Sequence, residues 1–147
     1  MKRKTTKVKK IRQKQAEKEL KKGYPKAETL LNDKSKLDDL LESLEVKIEK
    51  IPNLGEALSY VPVFIQLVKC FITKKYTIIP RGSIVAIISA LVYFVSPFDI
   101  IPDFIPGIGY IDDALVITTC IYLVHSDIEI FKSWREEQGN LVEAAVV

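Results

Sequence analysis

The sequence predicts an all-α fold of about five helices, with a central apolar helical hairpin joined by a Pro/Asp-rich turn and inserted in a membrane. Three observations carry that expectation. Leu37, Leu40, Leu41, Leu44, Ile48 and Ile51 recur at i, i+3, i+4, i+7, i+11 and i+14, one apolar stripe on a helix. Residues 82–98, GSIVAIISALVYFVSPF, run for 17 positions without a charge. A second apolar run, ALVITTCIYLV, fills residues 114–124. The chain has 147 residues, of which 48% are hydrophobic, too many for a disordered protein. Two cysteines and one histidine exclude a disulfide scaffold and a four-ligand His/Cys zinc cage.

The net charge of +3 hides a gradient. Residues 1–22 carry 11 basic and 2 acidic side chains, whereas residues 82–113 hold four Asp and no Lys or Arg. Cations this dense repel one another, so the first 22 residues are expected to be a largely disordered tail, with at most a frayed helix near Ile11–Lys22. The tail lacks an apolar h-region and does not read as a signal peptide. Its charge suits anionic lipid at about 1 kcal/mol per well-placed cation. Without interleaved aromatics, a nucleic-acid role is disfavoured.

The remaining elements follow in order. The amphipathic helix over 37–51 has Asp33 or Ser35 as its cap and Pro52 as its stop. Its apolar face requires a core, a partner or a membrane surface. Residues 61–73 read as an apolar helix with Pro62 in the first turn and Lys74 and Lys75 at the C-terminal end. Tyr76–Pro80 reads as an extended connector.

The charge-free stretch that follows would span about 25 Å as a helix, against a hydrocarbon core of about 30 Å. It has no polar face, so either lipid or the centre of a helical bundle must surround it. Lys74, Lys75 and Arg81 before the hairpin and Lys132 and Arg135 after it place both termini on the cytoplasmic side by the positive-inside rule. A cytoplasmic location is the alternative. Trp134, Tyr110 and Tyr93 are available as interfacial anchors. His125 is expected at a helix C-terminus, Cys70 and Cys120 as reduced thiols in apolar helices, and Ser126 or Asp127 as the cap of a last helix, Ile128–Glu137.

Between the two apolar runs lies SPFDIIPDFIPGIGYIDD, residues 96–113. Ser96, Pro97 and Asp99 fit N-cap, N1 and N3 of a short helical turn. Pro102, Asp103, Pro106 and Gly107 punctuate the chain, Gly109 permits close backbone approach, and Asp112 and Asp113 stand where a new helix needs acceptors. Asp99, Asp103, Asp112 and Asp113 are also an oxygen-ligand set for Mg²⁺ or Ca²⁺, or a source of paired carboxylates for acid/base work. The Pro and Gly beside each Asp favour capping, so no metal, cofactor or catalytic residue is assigned.

The pattern S-P-x-D-x-I-P-D-F-I-P-x-x-G-Y-x-D-D resembles the YkvA-like family, also called domain of unknown function 1232. The resemblance covers about residues 61–138. Phe98 and Ile100 are conservative variants, and Gly107 stands where members often carry an aliphatic residue. The resemblance implies a helical, membrane-associated protein without an assigned reaction. Similar segments in some eukaryotic membrane ubiquitin ligases imply a membrane module rather than an enzyme core. The chain then divides into the tail (1–22), a polar region with the amphipathic helix (23–52), the YkvA-like helical domain (53–138) and a C-terminal tail (139–147). The expected role is structural or interaction-based and non-enzymatic, with membrane lipids as partners and no protein partner identified. The alternatives are a soluble bundle binding a partner protein and a metal-binding enzyme using the Asp cluster.

Overall fold

The computed structural model describes residues 13–52, 55–95 and 113–146. Every regular element among them is a helix. In chain order these are α1 (13–22), α2 (Tyr24–Leu31), α3 (Lys34–Glu49), α4 (Gly55–Leu58), α5 (Val61–Ile72), α6 (Arg81–Val95) and α7 (Asp113–Val146).

The middle of the molecule is α6. Its sequence has no polar face, and the fold encloses it on all sides: the eleven consecutive residues Ile84–Phe94 are buried. Helices α2, α3, α5 and α7 pack against it. Of the two surroundings expected for this stretch, the bundle centre is the one found. Each fully buried Val, Leu, Ile or Phe contributes about 1.5–3 kcal/mol, so α6 is a main source of cohesion. Tyr93, an expected interfacial anchor, is buried at 2% exposure.

The amphipathic stripe behaves as its spacing requires. Leu37, Leu41 and Leu44 are buried, and Leu40, Ile48 and Ile51 pack at the margin of the core. The side chain of Asp33 caps α3 by accepting from the Lys36 amide at 3.2 Å. Lys50 closes the helix two residues before Pro52. The face rests on the protein's own core.

Two features depart from expectation at the N-terminal side. Residues 13–22 are helical and packed rather than part of a solvated tail, because Ala16 and Leu20 are completely buried. The buried hydroxyl of Ser89 on α6 donates to the Leu20 carbonyl. The polar region also holds an extra helix, α2, with Pro25 in its first turn and Ala27 and Leu30 buried. Five residues, Lys50, Ile51, Pro52, Asn53 and Leu54, separate α3 from α4 in sequence.

Helix α5 matches the expected apolar helix, with Pro62 in the first turn. It ends in a Schellman motif. The Lys74 amide donates to the Phe71 carbonyl at 3.1 Å and the Lys75 amide to the Cys70 carbonyl at 2.9 Å. Lys74 occupies the left-handed position, at φ 63°, where glycine is usual. The connector then runs without helix through Tyr76–Pro80.

The expected break before a last helix becomes a kink. Helix α7 continues past Val124, whose φ of −115° and ψ of 20° are non-helical. The inner half carries the buried residues Val116, Ile117 and Cys120. The outer half brings Phe131 and Trp134 onto Tyr76 of the connector, with ring centroids 5.1 and 5.0 Å from that tyrosine. Trp134 is thus a packing residue.

Candidate functional site

The best candidate is the hairpin of α6 and α7, whose joining segment holds the Pro/Asp motif. Ser96, Pro97, Asp99, Pro102, Asp103, Pro106, Gly109 and Asp112 lie outside the described residues, as do the capping, metal and acid/base readings placed on them. Asp113 opens α7. Tyr110 also lies outside.

What the structure places firmly is the pair of arms that the motif connects. They pack against each other along the bundle centre. A half-buried polar link joins them where the Ser83 hydroxyl donates to Asp127 Oδ2. Asp127, expected as a helix cap, thus ties α7 to α6. At the motif end, the Lys47 ammonium of α3 donates to the Phe94 carbonyl and sits 4.4 Å from the centroid of the Phe94 ring. A cation at that carbonyl complements the negative end of the α6 dipole. Sequence reasoning missed Lys47, because it stands beside the apolar stripe among ordinary exposed charges.

Further polar contacts set how the other helices lie on the hairpin. Arg81 at the start of α6 pairs with Glu28 of α2 at 2.6 Å. Lys69 of α5 pairs with Glu45 of α3. Arg135 of α7 donates to Gln66 of α5 at 2.7 Å, and Lys132 sits 4.5 Å from the Tyr60 ring centroid. Such exposed pairs contribute about 0–1 kcal/mol each, and they act mainly on register.

The remaining chemistry-bearing residues do not converge. Among the described residues no three His, Cys, Asp or Glu side chains group as metal ligands. His125 is exposed and lies 3.8 Å from Glu129. Cys120 is completely buried and Cys70 half-buried, both as free thiols. Burial pushes both thiols up from their ordinary value, with Lys75 acting in the opposite direction on Cys70. A thiol held protonated is a poor nucleophile.

The match to known proteins centres on this hairpin. Residues 83–119 match the family described as "Protein of unknown function (DUF1232)", a span that starts at Ser83 on α6 and ends at Thr119 on the inner half of α7. The chain is also 30% identical over 88 residues to "Uncharacterized membrane protein YkvA" of Bacillus subtilis (strain 168). That alignment covers 60% of this chain and 83% of the relative. The chain belongs to the YkvA-like DUF1232 family. No solved structure matches it significantly. By length and composition alone, Gly55–Ile72 is apolar enough to cross a membrane, with a mean hydropathy of 1.3. Its exposed positions include Gln66 and Lys69, which are engaged by Arg135 and Glu45.

Proposed function

We propose that this chain is a non-enzymatic, membrane-associated helical module with a structural or interaction role, held on the cytoplasmic face of the bilayer with both termini on that side. The observation that carries the reading is the enclosure of α6. The helix with no polar face is already wrapped by α2, α3, α5 and α7. The bundle therefore satisfies its core internally and meets the bilayer through its surface. Membrane association is supported by the Bacillus relative, which is described as a membrane protein. The basic N-terminal residues favour the cytoplasmic leaflet, where anionic lipid attracts cations.

The non-enzymatic part rests on the scattered positions of His125, Cys70 and Cys120. The Pro/Asp motif then serves to hold a fixed helix–turn–helix geometry. A second reading, a soluble bundle binding a partner protein, is favoured by one feature: a shallow groove of about 420 Å³ lined by Tyr76, Ile78, Ile130 and Trp134, with Ile78 72% exposed.

Fractionation of cells expressing the full chain separates these readings. The expected result is sedimentation with membranes at low salt and release by a high-salt wash. Recovery in the soluble fraction at low salt overturns membrane association and favours the partner-binding bundle. Retention through both high salt and alkaline carbonate overturns the surface-held form, because a segment inserted in lipid resists both.

A further inference from the structure

We infer that the face formed by α1 and the inner half of α7 is the surface that docks on anionic phospholipid. This deepens the proposed membrane association and rests on it.

The face is built from two helices far apart in sequence. Gln13, Lys14 and Glu17 of α1 line one shallow cleft together with Thr119, Tyr122 and Leu123 of α7. Lys14 and Glu17 also line the adjoining cleft with Lys18, Lys21 and Lys22. The two clefts form one continuous surface. On its α7 side Tyr122 is 76% exposed and Leu123 42% exposed. Lys14 shares their cleft, and the exposed Lys18, Lys21 and Lys22 line the adjoining one. Lys21 lies 3.1 Å from Glu17 and Lys22 3.1 Å from Glu19, so Lys14 and Lys18 supply the helix's excess positive charge. The twelve residues before α1 add seven cations and no anion in sequence.

An apolar tyrosine–leucine pair beside a row of cations has the chemistry of an interfacial contact. Tyrosine prefers the headgroup level, leucine reaches the acyl boundary, and lysines meet the phosphates while their stems lie along the apolar surface. Charge complementarity selects this face over the other exposed apolar patch. The groove holding Ile78 and Ile130 is lined by Glu129 and Glu137, which an anionic bilayer repels. A nucleic acid would use the same cations, but an exposed leucine adds nothing to phosphate contacts. The lipid surface accounts for both halves of the patch.

Vesicle binding of the full chain provides the test, using phosphatidylcholine vesicles with and without phosphatidylglycerol. The unsubstituted chain is expected to bind only the anionic vesicles. Lys14→Gln with Lys18→Gln should weaken binding roughly tenfold or more, at about fivefold per cation. Tyr122→Ser with Leu123→Ser should weaken it with the fold intact by circular dichroism. Ile78→Ser with Ile130→Ser should leave it unchanged. A reporter places the contact directly: Tyr122→Trp in a Trp134→Phe background should be quenched by brominated anionic lipid. Binding without such quenching, or binding lost with Ile78 and Ile130 instead, overturns the face and leaves membrane association standing. No binding to either vesicle overturns the membrane reading itself. Tighter binding to duplex DNA or single-stranded RNA than to anionic vesicles overturns lipid as the occupant.

Discussion

Lys74 shows how one residue can hold conformational energy in an otherwise regular fold. It closes α5 at φ 63°, and a side-chain-bearing residue there costs roughly 1–2 kcal/mol. Both Schellman hydrogen bonds come from backbone amides, so glycine would keep them. Lys74→Gly is therefore expected to raise stability by about 0.5–1 kcal/mol, after allowing for the greater freedom of glycine in the unfolded chain. Thermal melts of the two proteins check this, and a lowered midpoint would refute the account. Cys120 supports a second expectation at this scale. Its thiol is completely buried and held above its ordinary value of 9.0. The folded state keeps the proton that the unfolded state releases above that pH. The thiol's contribution is thus fully present below pH 9 and lost as pH rises toward the raised value. Stability should fall on the alkaline side of pH 9, and Cys120→Ala should flatten that fall in a melting series against pH.

At the scale of elements, legibility followed how local the signal was. The α3 stripe was readable because Leu37, Leu41 and Leu44 repeat within a single helix, and Asp33 caps it through a neighbouring amide. Helix α5 and its stop were readable from Pro62 and the lysines beyond. The packing of α1, beyond the frayed helix expected there, was hidden, because its cations dominate the local pattern while Ala16 and Leu20 are buried by partners elsewhere. Ser89, which donates to Leu20, lies 69 residues away. The kink at Val124 had a local hint in the polar His125, Ser126 and Asp127, although the helix continues through it. Leu20→Ala is expected to cost about 2–4 kcal/mol if its cavity stays open. Hydrogen exchange should locate the loss in residues 13–22. Loss of protection in α7 with α1 unaffected would count against α1 as a packed helix.

For the whole molecule, the hairpin was legible as two apolar runs around a Pro/Asp segment, and the family match falls on that same span. The charge-free stretch itself leaves lipid and protein equally able to surround it. What decides between them is the placing of α2, α3 and α5 around α6, which no local pattern of residues 82–98 encodes. Lys47 likewise reaches the Phe94 carbonyl across 47 positions. The Asp quartet's capping and ion-binding readings both fall largely on residues outside the described set.

The bend at Val124 has a mechanical consequence. A helix interrupted at one residue is more compliant there than along its regular turns, so tension on the carboxyl end would bend it first at that joint. The Tyr76, Phe131 and Trp134 rings, with the Ser83–Asp127 and Arg135–Gln66 contacts, would resist that bending. The inner segment, with Val116, Ile117 and Cys120 buried against the core, would yield last.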